Sequence, residues 1–292
     1  MTAILEDLTT FTPLGVRFWD PATDQQVRDA LHVEANPLAR PGAKVAAVRS
    51  YGDVYAFLHL PGLRDLEYGY ERSGILSPPA AHPFIVQVRD ARERFLPIAL
   101  QITLPLPYRG VYLCGAAGSP VEATPRGLHL YSAPGRPLPP SAAAVRGELR
   151  RADTGTAAAH AVVRIETENA EAWYGLSDAR GRFVVVLPYP SLAHGFGGSP
   201  ASPGHRPLLE QVWQLSLSVF YQPHAQTVLP GSTVPDYLSV LQQAQADLYE
   251  YPPEAGGVAV ASLPVALQFD RHPTVRTDGA SQLLVMPSTA SP

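Results

Sequence analysis

Proline sets the limits on what this chain can fold into. It occurs 31 times in 292 residues, about twice its usual ~5% share. Each proline lacks a backbone donor and clashes inside a helix, so this density favours short strands joined by rigid turns over long helices. Proline and glycine together stay below the ~25–30% that marks low-complexity chains, and an apolar content of 46% supplies a globular core. The length suits two domains of ~100–200 residues each.

Period-2 alternation fills the space between the turns. Residues 1–105 read as a first β-sandwich module. LGVRFWD (Leu14 to Asp20) is closed by the turn Pro21 to Asp24, and Leu31, Val33 and Ala35 alternate with His32 and Glu34. Lys44 to Ser50 and Val54 to Leu60 form a hairpin about Tyr51-Gly52-Asp53. Phe84 to Asp90 and Phe95 to Pro105 form another pair, turning at Ala91 to Arg94. Residues 106–140 are rich in proline, glycine and small side chains and read as a linker, in which Val111 to Cys114 and Leu128 to Tyr131 could add edge strands to either module.

Residues 141–292 read as a second sandwich. Its strands are Val145 to Gly155 with its turn, a run with Val163, Ile165 and Thr167 on one face, Ala172 to Asp178, Arg182 to Pro188, Trp213 to Tyr221, Val265 to Phe269 and Gln282 to Met286. A loop, Tyr189 to Pro207, interrupts them, and Pro287 to Pro292 reads as a frayed end. One helix is expected near Asp236 to Tyr249. Pro235 is placed in its first turn, Tyr237, Val240 or Leu241, Ala244 and Leu248 recur at helical spacing, and Pro252-Pro253 stop it. The expected fold class is therefore all-β: two antiparallel sandwiches of related design with one short helix late in the second.

The modules overlay in order: Val16 with Val145, Thr23-Asp24 with Thr154-Gly155, Val33 with Ile165, Tyr55 with Phe183, and Leu60-Pro61 with Leu187-Pro188. Duplication of one unit fits this order, and so do two unrelated antiparallel sandwiches. Within Val145 to Pro190, the run VRGELRRADTGTAAAHAVVRIET followed by GLSDARGRFVVVLPYP resembles the carboxypeptidase regulatory-like (transthyretin-like) β-sandwich family, most specifically at Ser177-Asp178, Gly181-Arg182-Phe183 and Leu187-Pro188. That resemblance implies a non-catalytic scaffold. Along the whole chain, PLGVRFWDPATD, VYAFLHLPGLRDLEY, VQVRDARERFLPIAL and HLYSAPGRPLPP resemble proteins encoded with phage-tail-like contractile injection particles. This implies a baseplate, spike or accessory role among the other proteins of a multi-subunit particle.

The residues offer little chemistry of their own. No histidine pairs with another His, or with Cys, at metal-ligand spacing; His32 and Glu34 share a solvated strand face, while His59, His129 and His160 read as single core or edge histidines. No G-x-S-x-G elbow exposes a serine, and Gly195 to Gly198 and Gly256-Gly257 lack the lysine or helix that would hold phosphate. Tyr108-Arg109-Gly110 resembles the terminal tripeptide of hydroxyisourate hydrolases, but it is internal here and Val111 stands where serine is expected. Cys114, the only cysteine, excludes an intrachain disulfide and a multi-cysteine zinc site. Trp19, Trp173 and Trp213 read as core aromatics, with a sugar-binding platform as the alternative. Arg146-Arg150-Arg151 and Arg89-Arg92-Arg94 read as solvated charge.

No catalytic, cofactor-binding or metal residue is therefore assigned, and no small-molecule ligand is expected. A net charge of −4 gives no reason to expect nucleic acid, and no run of ~18 apolar residues predicts a membrane span. MTAILEDLTTF has no basic start before an apolar run, so cytoplasmic residence, or carriage in a released particle, is the expectation. Charged residues are only 16% against ~25% in typical domains, which hints at surface covered by neighbours. A non-enzymatic structural or accessory part of an assembly is the reading these observations favour, with a carbohydrate- or surface-binding module as the alternative.

Overall fold

A computed structural model describes residues 12–40, 42–67, 81–105, 127–139, 142–190 and 210–289. The fold is all-β. In the first unit the strands are β1 (Leu14–Val16), β2 (Phe18–Asp20), β3 (Gln25–Gln26), β4 (Leu31–Pro37), β5 (Val45–Ala46), β6 (Val48–Arg49) and β7 (Tyr55–Phe57). A single helical turn, α1 (Arg64–Glu67), precedes β8 (His82–Asp90), β9 (Ile98–Leu104) and β10 (Leu128–His129). The second unit holds β11 (Ala142–Arg151), β12 (Val162–Thr167), β13 (Ala172–Leu176), β14 (Arg182–Pro188) and β15 (Val212–Phe220). After α2 (Tyr237–Leu241) come β16 (Gln245–Tyr249), β17 (Ala259–Val260), β18 (Leu263–Gln268), β19 (Thr274–Val275) and β20 (Leu283–Met286).

Strand pairing repeats between the units. An antiparallel run β5-β4-β8-β9 in the first corresponds to β13-β12-β15-β18 in the second. The opening strand pairs antiparallel with the aromatic strand in both, β1 with β7 and β11 with β14. The last strand lies parallel to the opening segment in both: β10 beside β2, and β20 beside the end of β11. This shared order is what duplication of one unit produces, although Val16 faces Tyr55 while Val145 faces Val185, so the registers of the overlaid residues differ. Leu128 to Tyr131 thus adds to the first unit; Leu130 and Tyr131 are buried in its core, and Leu96 N–H donates to the Tyr131 carbonyl. Val111 to Cys114 and the rest of 106–126 lie outside the described residues.

The sandwich periodicity produces the cores directly. Phe84, Val86 and Val88 of β8, with Ile98, Leu100, Ile102 and Leu104 of β9, face the first core. Val163, Ile165, Val185, Leu215, Leu217 and Val219 fill the second. The motif singled out in the second unit is a structural turn. Ser177 Oγ donates to the Ala158 carbonyl at 2.6 Å, and Asp178 Oδ1 accepts from the backbone N–H groups of Arg180 and Arg182. Gly181 has φ +80, and a Cβ there would stand 2.3 Å from the Leu149 carbonyl oxygen, so only glycine closes this turn without strain.

The expected helix is corrected in length and place. α2 covers only Tyr237–Leu241, Pro235 precedes its N-cap Asp236, and Gln245–Tyr249 is strand β16, paired with β15 and β20. Ala244 and Leu248, four residues apart, fit either a helix or a strand; Ala246 and Leu248 are buried between exposed Gln245 and Asp247, which is period 2. The turn between them is fixed by Gln243. Wholly buried, it accepts from Gln222 N–H and Gln226 Nε2 and donates to the carbonyls of His160 and Val240. The chain end is also tied further than expected, since Ser288 N–H donates to the Tyr221 carbonyl.

α2 turns three of its five side chains inward. Its Tyr237, Val240 and Leu241 are buried in the first unit's core beside Val162, Leu176 and Phe220 of the second. Burying such side chains contributes roughly 1.5–3 kcal/mol each. The segment before the helix crosses the outer face of β8 and β9, where Leu229 packs on Ile85 and Ala99 and Gln87 Nε2 donates to the Gly231 carbonyl. Asp236 caps α2 through Ser239 N–H and also accepts from Gln101 N–H of β9. Residues 222–243, inserted between two strands of the second unit, therefore bind the two units together.

Candidate binding cleft

One end of the first unit carries a cleft of about 780 Å³ where the β2–β3 hairpin, the turn at Ala91 to Arg94 and the loop Ser132 to Arg136 meet. Asp20, the last residue of β2, is followed by proline, and its carboxylate turns back to accept from Ala22 N–H at 3.0 Å and Thr23 Oγ1 at 2.7 Å. The same carboxylate takes two bonds from the Arg136 guanidinium, at 2.9 and 2.5 Å. Both side chains are 7% exposed, so this is a buried, two-point ion pair, and Arg136 Nη1 also donates to Ser132 Oγ.

A second pair stands across Phe95. Arg94 donates to both oxygens of Asp90, through Nε at 2.9 Å and Nη2 at 3.1 Å, and reaches Asp29 with Nη1 and the Asp29 carbonyl with Nη2. Burial by itself pushes the Asp90 carboxyl up. The Arg94 side-chain bonds, the N–H groups of Arg94 and Arg92 and the Arg94 charge outweigh it and hold the group below the usual aspartate range. Both guanidiniums lie over the Phe95 ring, Arg136 at 4.7 Å and Arg94 at 5.3 Å from its centroid. The remaining wall includes Trp19, whose indole N–H donates to Asp24 Oδ1, and Gln26, whose amide is fixed on the carbonyls of Gly52 and Asp53.

Chemically this arrangement favours holding a ligand over converting one. Thr23 is the hydroxyl on the wall, and the carboxylate it meets is already engaged by Arg136.

The other residues read from sequence are dispersed. His32 and Glu34 share the outer face of β4, where Glu34 pairs with Lys44 at 2.9 Å. The His59 imidazole is 74% exposed beside the buried Glu67, which also accepts from His59 N–H. The His129 carbonyl accepts from Tyr237 Oη. Burial pushes the His160 imidazole below its ordinary value, partly offset by Asp178. Gly256-Gly257 forms a turn after a short 3-10 helix. Among the described residues, no group of three His, Cys, Asp or Glu side chains is placed to hold a metal, and no helix is long and apolar enough to cross a membrane. Tyr108-Arg109-Gly110, Cys114 and Gly195 to Gly198 lie outside the described residues.

Two readings change. Trp173 and Trp213 pack against the second core as expected, whereas Trp19 lines the cleft. Of the arginines read as solvated, Arg92 is 62% exposed, but Arg94 is largely covered and holds a carboxylate with no exposure at all. Arg136 went unrecognised because a lone arginine between prolines carries no local pattern. The Asp20-Pro21 turn was legible, its distant partner was not.

No family model and no curated protein matches the chain. Among solved structures, the shaft pilin SpaA from Lactobacillus rhamnosus GG overlays at TM-score 0.25 with 10% identity, covering 95% of this chain and 98% of the pilin. A candidate adhesin from Bacteroides ovatus ATCC 8483 overlays at TM-score 0.23 with 10% identity, covering 99% of this chain and all of the adhesin chain. At these TM-scores neither overlay carries an argument, and the architecture rests on the strand pairing itself.

Proposed function

We propose that this chain is a non-enzymatic structural or accessory component of a larger protein assembly. The observation that carries the proposal is the segment 222–243, which ties the two units together by burying α2 in the first unit's core beside Val162, Leu176 and Phe220 and by the Asp236 bond to β9. Such a body transmits position between neighbours. The described cleft adds paired charges and aromatic side chains, the composition of a recognition surface rather than of a reacting centre. The resemblance of PLGVRFWDPATD and HLYSAPGRPLPP to proteins encoded with contractile injection particles supports one assembly class, a phage-tail-like particle, in a baseplate, spike or accessory position. Synthesis in the cytoplasm and carriage with the particle follow from that reading.

The test is particle purification from cells that make the protein, with quantitative mass spectrometry across a density gradient. The chain is expected to sediment with sheath and tube proteins at fixed stoichiometry. Recovery only in the slow-sedimenting fraction would overturn the particle reading. Turnover in a broad hydrolase screen that disappears on one Ser or His substitution would overturn the non-enzymatic one.

A further inference from the structure

We infer that the cleft beside Trp19 binds a neutral saccharide. Its ionic groups are paired: Asp20 with Arg136, Asp29 with Arg94 and with the neighbouring Arg92, Arg94 also with Asp90, and the exposed Arg28 with Asp53. An anion would compete with these carboxylates for the guanidiniums, and a cation would compete with the guanidiniums for the carboxylates. Apolar ligands are disfavoured too, because apart from Trp19, Val27 and Phe95 the lining is polar or charged. What remains is a neutral ligand that has both a C–H face and hydroxyls.

The wall matches that chemistry. Trp19 supplies an amphipathic aromatic surface, and its indole N–H is held on the Asp24 carboxylate, which fixes the ring's orientation. Gln26 is held by its own amide on the carbonyls of Gly52 and Asp53, and the exposed Gln25 beside it offers a donor and an acceptor on one planar group. Because these groups sit on a two-stranded hairpin anchored by the buried Asp20–Arg136 pair, they are fixed before a ligand arrives. The volume, about 780 Å³, falls in the range of small-ligand sites. Trp173 and Trp213, packed against the second core, have no part in this site.

The experiment uses the full chain on an array of neutral and anionic glycans, followed by calorimetry with the best neutral tetrasaccharide. Saturable binding to neutral glycans is expected, weakened at least about ten-fold by Trp19→Ala and by Gln25→Ala and unchanged in Tyr251→Ala on the second unit. Gln25 is exposed, so its variant keeps the test valid if Trp19→Ala fails to fold. Binding confined to sialylated or sulfated glycans, no neutral glycan bound at all, or neutral binding indifferent to both cleft variants would each overturn the inference. Loss of a protein contact in Gln25→Ala without any glycan binding would reassign the cleft to a protein partner. Particle incorporation is scored separately, so the saccharide site can fail while the assembly role stands.

Discussion

In the second unit, Ile165, Phe183, Val185, Leu217 and Leu283 meet in an interior with no buried ionised side chain among the described residues. In the first, Asp20, Glu67, Asp90 and Arg136 are buried, and the fifth buried charge, Asp236, belongs to the segment laid upon it. The second unit fills its core with its own strands. The first takes in Tyr237, Val240 and Leu241 from α2 and meets Val162, Leu176 and Phe220 at the junction. Two units with one order of strand pairing therefore reach stability by different means. The self-contained unit keeps an apolar core, and the dependent unit carries the polar interior from which the cleft is built.

That contrast can be broken at its strongest point by Asp20→Ala. The substitution leaves the Arg136 guanidinium, 7% exposed, without its carboxylate, and about 3–5 kcal/mol of stability should be lost in urea unfolding. A loss under 1 kcal/mol would show that the first unit does not depend on its buried charge. Next in size, Leu241→Ala opens a cavity in the first unit's core from a residue that belongs in sequence to the second, at a cost of about 2–4 kcal/mol. Hydrogen exchange should rise in β8 and β9 before it rises in β14. Equal rises in both units would mean that they unfold as one.

Acid sharpens the comparison further. Asp90 is held below the ordinary aspartate value of 3.8, so its contribution is fully present above that pH and is lost as pH falls through the lower folded value. Acid titration should loosen the first unit below pH 3.8, and Asp90→Asn should remove that part of the pH dependence. The smallest effect is expected from Lys44→Met. Its ion pair with Glu34 is exposed on both sides, and the change should stay within about 1 kcal/mol and shrink further in salt.

Much of this architecture was written in local pattern. Val33 and Ala35 alternate inward against His32 and Glu34, Tyr51 to Asp53 turns a hairpin, and the Asp178 to Gly181 turn closes with the one residue its backbone tolerates. Such features are legible because they depend on neighbours within a few positions. Residues 244–248 mark the limit, since a spacing of four serves a helix and a strand alike, and the choice fell to pairing with Met286 and Val285.

The cleft lies beyond that limit. Asp20 and Arg136 stand far apart in the chain, and nothing near either one announces the other. The sequence by itself determined which faces are apolar, where the turns fall and that short strands are favoured over long helices, because each of these follows from side-chain period and backbone stereochemistry. Only the tertiary structure decided which charges are buried together, that Trp19 lines a cleft while Trp213 packs on a core, and that a segment of the second unit completes the first. The physical reason is that period tells a residue to turn inward, whereas the partner it meets there is chosen by chain topology.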